Sequence, residues 1–282
     1  MRWPDLVYRL AVHDRLCGVA FLESCVGSDY LAVLLGSRIE IVRVAVEERT
    51  GIGAVTIQKR PSNTRRQWTR LKENRMEHLV LLGDSIFDNK SYVGESPDVI
   101  GHLRELIPAN WSATLCAVDG DTTSGIERQL TKVPKDATYL FVSVGGNDAL
   151  INVHLLSDMT RSGPALLDEL SRIADAFHKN YYNAIDHVCR LRKPTCVCTI
   201  YDGNLEADVA PAAKAAVAVF NDKIYSVANE RHLAVIELRR ICNQPDDYAN
   251  FIEPSALGGK KIAKAIYDHV QRRQILMKTK KK

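Results

Sequence analysis

The sequence lacks most of the features that would assign it to a class at a glance. No apolar run approaches the ~18 residues needed to cross a bilayer. Near the N-terminus Arg2, Asp5, Arg9, His13, Asp14 and Arg15 interrupt every apolar stretch, which reads against a secretory leader. The seven cysteines, Cys17, Cys25, Cys116, Cys189, Cys196, Cys198 and Cys242, are odd in number and contain no C-x-x-C pair. They read as reduced, mostly buried thiols, and a cytoplasmic location follows. No His/Cys spacing suits a metal, so no metal site is expected. Neither of the glycine-rich phosphate motifs, G-x-x-x-x-G-K-S/T or G-x-G-x-x-G, occurs. Gly258-Gly259-Lys260-Lys261 precedes an apolar helical face and reads as a helix start. Internal repeats and low-complexity tracts are absent as well.

What is present is ordinary in amount and uneven in placement. The 282 residues carry a formal charge of +4. Residues 1–75 hold 13 Lys/Arg and 8 Asp/Glu, and the remainder 25 and 26. The larger part is therefore near neutral, and no nucleic-acid partner is expected. The basic tail, residues 275–282, reads as a solvated, disordered end.

Residues 1–75 form an N-terminal extension without visible chemistry. Arg38–Val46 and Ala54–Ile57 flank Gly51 and Gly53, a hairpin pattern. An Arg-rich stretch from Lys59 to Arg75 reads as a linker. Met76 opens a clean apolar strand, so two readings stand. The extension is either a genuine accessory segment or a gene-model artefact upstream of a start at Met76.

From Met76 onward, strand-length apolar runs alternate with helical patterns. The runs are His78–Leu82, Ala113–Val118, Tyr139–Val144, Thr195–Ile200 and Leu233–Leu238. The helical patterns are Asp98–Ile107, Thr123–Leu130, Ala165–Leu191, Ala212–Asn229 and Leu257–Arg273. In the third, Leu166, Leu167, Leu170, Ile173 and Phe177 recur at helical spacing, a stripe expected to pack on a sheet. The alternation predicts a parallel sheet covered on both faces. In such sheets ligands sit beyond the carboxyl ends of the strands.

Three of those ends carry reactive or permissive residues. The first strand leads to Gly83-Asp84-Ser85, then Asp88 and Asn89. A serine here is expected to expose its hydroxyl at a helix N-terminus, where negative charge is stabilised. The second leads to Asp119-Gly120-Asp121, where glycine lets a ligand approach the backbone. The third leads to Gly145-Gly146-Asn147-Asp148, and an asparagine amide is a known oxyanion donor. Asp202 and Asn204 follow the fourth, so the pocket is expected to be polar and acidic.

His78–Asn89 resembles the first sequence block of the SGNH/GDSL hydrolases. Gly120 is similar to the glycine of their second block, and Gly145–Asp148 to their third. The resemblance implies a three-layer α/β/α sandwich with a flavodoxin-like parallel sheet of about five strands, spanning residues 76–274. It implies Ser85 as nucleophile, with the Ser85 and Gly120 N–H groups and the Asn147 amide as oxyanion hole. It implies a small-molecule ester or acyl substrate and no cofactor. The fifth block departs from the family. Where Asp-x-x-His is usual, this chain has Asn250-Phe-Ile-Glu253, followed by Pro254 and the glycines.

Serine is a poor nucleophile without a base, so three readings follow. Glu253 is the base, with burial raising its pKa and Asn250 as a neutral orienting group. Alternatively His154, six residues beyond Asp148, faces the crevice. In the third, the domain is catalytically impaired and binds a small carboxylate, ester or carbohydrate. Asp84, Asp88, Asn89, Asp148, His154 and Asn250 are the candidate substrate-contacting residues. The sequence is silent on oligomeric state.

Overall fold

The computed structural model describes residues 30–35, 38–47, 54–59, 76–157, 160 and 162–279. The chain divides into two compact units, residues 1–72 and residues 73–281. In the first, β1 (Tyr30–Leu35), β2 (Arg38–Glu47) and β3 (Ala54–Lys59) form an antiparallel sheet in that order. β2 and β3 are the expected hairpin, with Glu47 opposite Ala54. β1 is an additional strand. Its run Leu-Ala-Val-Leu-Leu is continuously apolar, and periodicity cannot tell such a run from a helix. The residues read as an Arg-rich linker, from Arg60 to Arg75, lie outside the described set.

The second unit is built on five parallel strands: β4 (His78–Gly83), β5 (Ser112–Leu115), β6 (Tyr139–Ser143), β7 (Thr195–Cys198) and β8 (Ala234–Ile236). Their order is β5-β4-β6-β7-β8, every pair parallel. The helices are α1 (Val99–Leu106), α2 (Ile126–Leu130), α3 (Gly146–Leu150), α4 (Gly163–Arg190), α5 (Ala210–Glu230) and α6 (Ala256–Thr279). α6 runs further than the sequence reading allowed, so the start of the basic tail is helical.

Side chains alternate across β4. Leu79 and Leu81 face α1 and α6, packing with Val99, Leu103, Ile262 and Ile266. Val80 and Leu82 face α2, α4 and α5, packing with Ile126, Ile185, Phe220 and Ile224. All four β4 residues are fully buried. That is why this strand reads as an unbroken apolar run rather than an alternating one. Helices on both faces make the unit a three-layer α/β/α sandwich, as expected.

The chain leaves β4 for β5 on one side and then crosses to β6 on the other. The carboxyl end of β4 is therefore the switch point of the sheet, where a crevice opens. No helix among the described residues is long and apolar enough to cross a membrane.

Candidate active site

Gly83 ends β4 with φ 132°. A Cβ there would lie 1.7 Å from the Ser143 carbonyl oxygen, so only glycine fits between β4 and β6. The chain then turns at once. Asp84 N–H donates to Ser143 O at 3.0 Å, and the Phe87 and Asp88 N–H groups both donate to Asp84 O at 3.1 Å. Ser85 therefore sits in an isolated turn, and the helix-N-terminus expectation is corrected: α1 begins only at Val99.

Ser85 is 6% exposed, and it lines the same cavity as the Glu253 carboxylate. Glu253 comes from the far end of the chain and is 7% exposed. Burial raises its pKa, the Ser85 hydroxyl partly offsets this, and the Asp119 charge raises it further. Its Oε2 is buried without a hydrogen-bond partner.

The loop bearing Glu253 is held from several sides. The Asn250 side-chain oxygen accepts from the Ile252 N–H at 2.9 Å and the Glu253 N–H at 2.8 Å. Asn250 itself is exposed. It orients the backbone of Glu253 rather than its carboxylate, unlike the side-chain orienter expected. Ala249 N–H donates to Glu253 O at 2.8 Å, and the Tyr201 hydroxyl donates to Ile252 O. Asn89, fully buried, donates to Pro254 O at 3.1 Å and accepts from Val99 N–H at 2.9 Å. Asn89 was a candidate for contacting substrate; both ends of its amide are instead committed to protein, and it lies outside the cavity.

Asp84 is 2% exposed and has its pKa pushed up to about 8. Burial is the main cause, opposed by the Ile86 N–H and reinforced by the Glu253 and Asp148 charges. It is a neutral acid through most of the neutral range. Asp148 accepts from the Thr123 N–H at 3.0 Å and hydroxyl at 2.6 Å. Burial still raises its pKa. It secures the loop after β5 to the one after β6. Asp88 accepts from Asp119 N–H at 3.0 Å and so ties the β4 and β5 ends together.

Asn147 donates one side-chain N–H to Asp121 O at 2.8 Å, which fixes its amide plane and leaves the second N–H to point elsewhere. Gly120 is exposed in a left-handed turn, φ 80°, with open space where a Cβ would stand. Sequence reasoning missed Gln129, which is fully buried beneath this loop. Its amide accepts from Gly83 N–H at 2.8 Å and donates to Gly83 O and to an Asp121 carboxylate oxygen, both at 2.7 Å. One side chain thereby connects the turn that bears Ser85 to the residue that holds Asn147. A lone Gln in a short helix gives no sequence signal of this.

A cavity of about 350 Å³ opens on these groups. Asp84, Ser85, Asn147 and Glu253 are among its lining residues. Its walls come from α4 (Leu166, Leu167, Leu170), α5 (Ala213, Val217, Phe220) and the turns after β6 and β7. The expectation of a polar, acidic pocket is therefore corrected to a mainly apolar one with carboxyl groups at Asp84, Asp202 and Glu253. Helix side chains, not strand-end residues, supply most of the surface. Leu166, Leu167 and Leu170 line this cavity, while Phe177 further along α4 packs in the core.

His154 is exposed on the short 3₁₀ helix Val153–Ser157 and does not line the cavity. His78 starts β4, at the end opposite Ser85, 3.1 Å from Asp136 and 2.7 Å from Thr114. His269 lies edge-on to Phe141 in the core. No histidine reaches the Ser85 hydroxyl among the cavity-lining residues. Among the described residues, no group of three His, Cys, Asp or Glu is arranged for a metal ion. The five described cysteines are free. Gly258, in the Gly-Gly-Lys-Lys run, packs against the Asp247 carbonyl, where a Cβ would lie 2.1 Å away.

A five-stranded parallel sheet with a serine and an asparagine at its switch point defines the class of the SGNH-type hydrolases. The chain belongs to the GDSL-like Lipase/Acylhydrolase family, which matches residues 81–260. Solved structures agree in fold. An extracellular lipase from Streptomyces rimosus is 17% identical, with a TM-score of 0.52, over 68% of this chain and 99% of that one. A phospholipase A1 from Streptomyces albidoflavus is 15% identical at TM-score 0.52, over 68% and 98%. The lipase Lip_vut3 from a goat rumen metagenome is 16% identical at TM-score 0.54, over 68% and 96%. Comparison with curated protein sequences gives no match.

Proposed function

We propose that residues 76–274 form an ester hydrolase in which Ser85 is the nucleophile and Glu253 its base. The observation that carries this is that Ser85 and the buried carboxylate of Glu253 line one apolar cavity. Ser85 Oγ bonds to the ester carbonyl carbon as its proton passes to Glu253. The carbonyl electron pair moves to oxygen, and the free N–H of Asn147 with the Ser85 and Gly120 N–H groups receives that charge. The C–O bond to the alcohol then breaks, and the departing oxygen takes the proton from Glu253. Water, deprotonated by Glu253, releases the acid and restores Ser85.

The raised pKa of Glu253 suits it to this role. A base closer to the working pH takes a proton more effectively than an ordinary carboxylate. The apolar cavity would take the acyl chain. Its volume lies at the small end of the ~300–1,000 Å³ typical of ligand pockets, which favours a single short or medium chain. The free cysteines support a cytoplasmic site of action.

The test is an assay of the purified full chain on short-chain nitrophenyl esters and thioesters between pH 5 and 9, with Ser85→Ala and Glu253→Gln. Both variants should lose at least ~10²-fold in kcat. Loss in Ser85→Ala alone would remove Glu253 as base. A wild type no faster than Ser85→Ala would favour a binding domain for a carboxylate or ester.

A further inference from the structure

We propose that Tyr201 is a positioning residue that aims the Glu253 carboxylate by gripping, together with Asn250, the peptide between Ile252 and Glu253. The inference rests on the base role given to Glu253 above and adds the residue through which that role is set.

Glu253 Oε2 has no hydrogen-bond partner, so no side chain turns the carboxylate by that oxygen. The backbone of Glu253 is held instead. A peptide unit is planar, so fixing its carbonyl and its N–H fixes the whole plane. In the unit before Glu253, the Ile252 carbonyl accepts from the Tyr201 hydroxyl, and the Glu253 N–H donates to the Asn250 side-chain oxygen at 2.8 Å. In the unit after it, the Glu253 carbonyl accepts from the Ala249 N–H at 2.8 Å, and Pro254 has no N–H to offer. With both planes held, φ and ψ of Glu253 are set, and so is the direction of its Cα–Cβ bond.

The two side-chain grips differ in kind. Asn250 is exposed and belongs to the loop itself, so it moves with the loop. Tyr201 follows β7 and is buried, so it ties the loop to the sheet. Its ring stands edge-on to Tyr248, with centroids 5.1 Å apart at 90°. The Tyr248 hydroxyl is itself committed to the Cys242 carbonyl at 2.7 Å, and Tyr248 bridges Pro254 across the loop. The Tyr201 ring is thus fixed by the core while its hydroxyl holds the peptide. Burial keeps that hydroxyl well above the ordinary tyrosine range, so it stays a donor across the neutral range. The Asn204 N–H adds a bond to the Phe251 carbonyl at 2.8 Å, one unit further back. Ser85 follows β4 and Tyr201 follows β7, and both line the cavity with Glu253. The nucleophile and the base therefore take their places from the same sheet.

The experiment is a double-mutant cycle on the full chain. It measures kcat and KM on a short-chain nitrophenyl ester for the parent, Tyr201→Phe, Glu253→Gln and the double variant. Phe keeps the ring and removes only the hydroxyl. In the parent background kcat should fall roughly tenfold with KM unchanged, within the ~10²-fold that a ~1 Å misplacement can cost. In the Glu253→Gln background no base remains to be aimed, so the same change should cost less than about twofold, because groups that act as a unit are not additive. A merely structural tyrosine would lower kcat by the same factor in both backgrounds. Asn250→Ala, at an exposed position, repeats the cycle from the other edge of the peptide and serves as the test if Tyr201→Phe does not fold. Equal losses in the two backgrounds, or no loss in the parent, overturn the inference while leaving the hydrolase reading intact. A Glu253→Gln or Ser85→Ala protein as active as the parent overturns both.

Discussion

Replacing Glu253 by Gln should move activity and stability in opposite directions. In the folded protein burial raises the Glu253 pKa above its ordinary value, and Oε2 has no partner. In the unfolded chain the same carboxyl ionises near 4.5. Between those two pKa values the folded state binds more protons than the unfolded one. Stability is then fully present below the unfolded pKa and is lost as pH rises through the folded one. Each unit by which the group stays raised costs about 1.4 kcal/mol above the folded pKa. Gln has no charge to desolvate and keeps the acceptor facing Ser85. Glu253→Gln should therefore match the parent in stability at pH 4 and exceed it at pH 8. Activity at pH 8, where the parent's Glu253 is ionised, should fall by ~10²–10⁴-fold, because no base remains. The assays are urea unfolding at the two pH values and ester turnover on the same preparations. A variant less stable than the parent at pH 8, or one that keeps its activity, refutes the reasoning.

Four further outcomes follow from the site. Asn147→Ala should lower kcat by ~10²–10³-fold with little change in KM, read by steady-state kinetics, because the amide acts on charge that exists only in the transition state. Acyl chains should gain about fourfold in kcat/KM per added methylene while the cavity fills, as each buried CH₂ contributes ~0.8 kcal/mol. Ala216→Phe, on the α5 wall, should move the optimum to shorter chains in the same series. Gln129→Met should destabilise the fold by ~1–3 kcal/mol in urea unfolding. It keeps the volume but strands the Gly83 N–H in the interior, while Gly83 O keeps the Val118 N–H and the Asp121 oxygen keeps Arg128. A Gln129→Met protein as stable as the parent would show that the buried amide does not support the turn.

The sheet was readable because its strands are buried on both faces and bounded by glycine and polar turns. Leu79–Leu82 shows the pattern most plainly. Of the strand-end and loop residues singled out, Ser85, Asn147 and Glu253 line a single cavity from three separated stretches, while Gly120 does not line it. What escaped depends on contacts between distant segments. Asn89 looks like a crevice residue from its distance to Ser85, yet its amide faces the 254 loop. Leu166, Leu167 and Leu170 carry the same periodicity as a core stripe, and periodicity does not say whether a helix face meets a sheet or a cavity. The apolar character of the pocket was invisible for that reason. Gln129 and the backbone-orienting role of Asn250 are hydrogen-bond geometry, which spacing does not encode.

The Asn89 amide bridges chain segments 165 residues apart, from just past Ser85 to Pro254 beside Glu253. The order of synthesis then matters. A nascent chain presents Ser85 and its turn early, but the carboxylate that would activate it leaves the ribosome only near the end. Until that last stretch is made, Asn89 has no Pro254 carbonyl to bond. The cavity that Ser85 and Glu253 share is therefore complete only when nearly the whole chain has been synthesised.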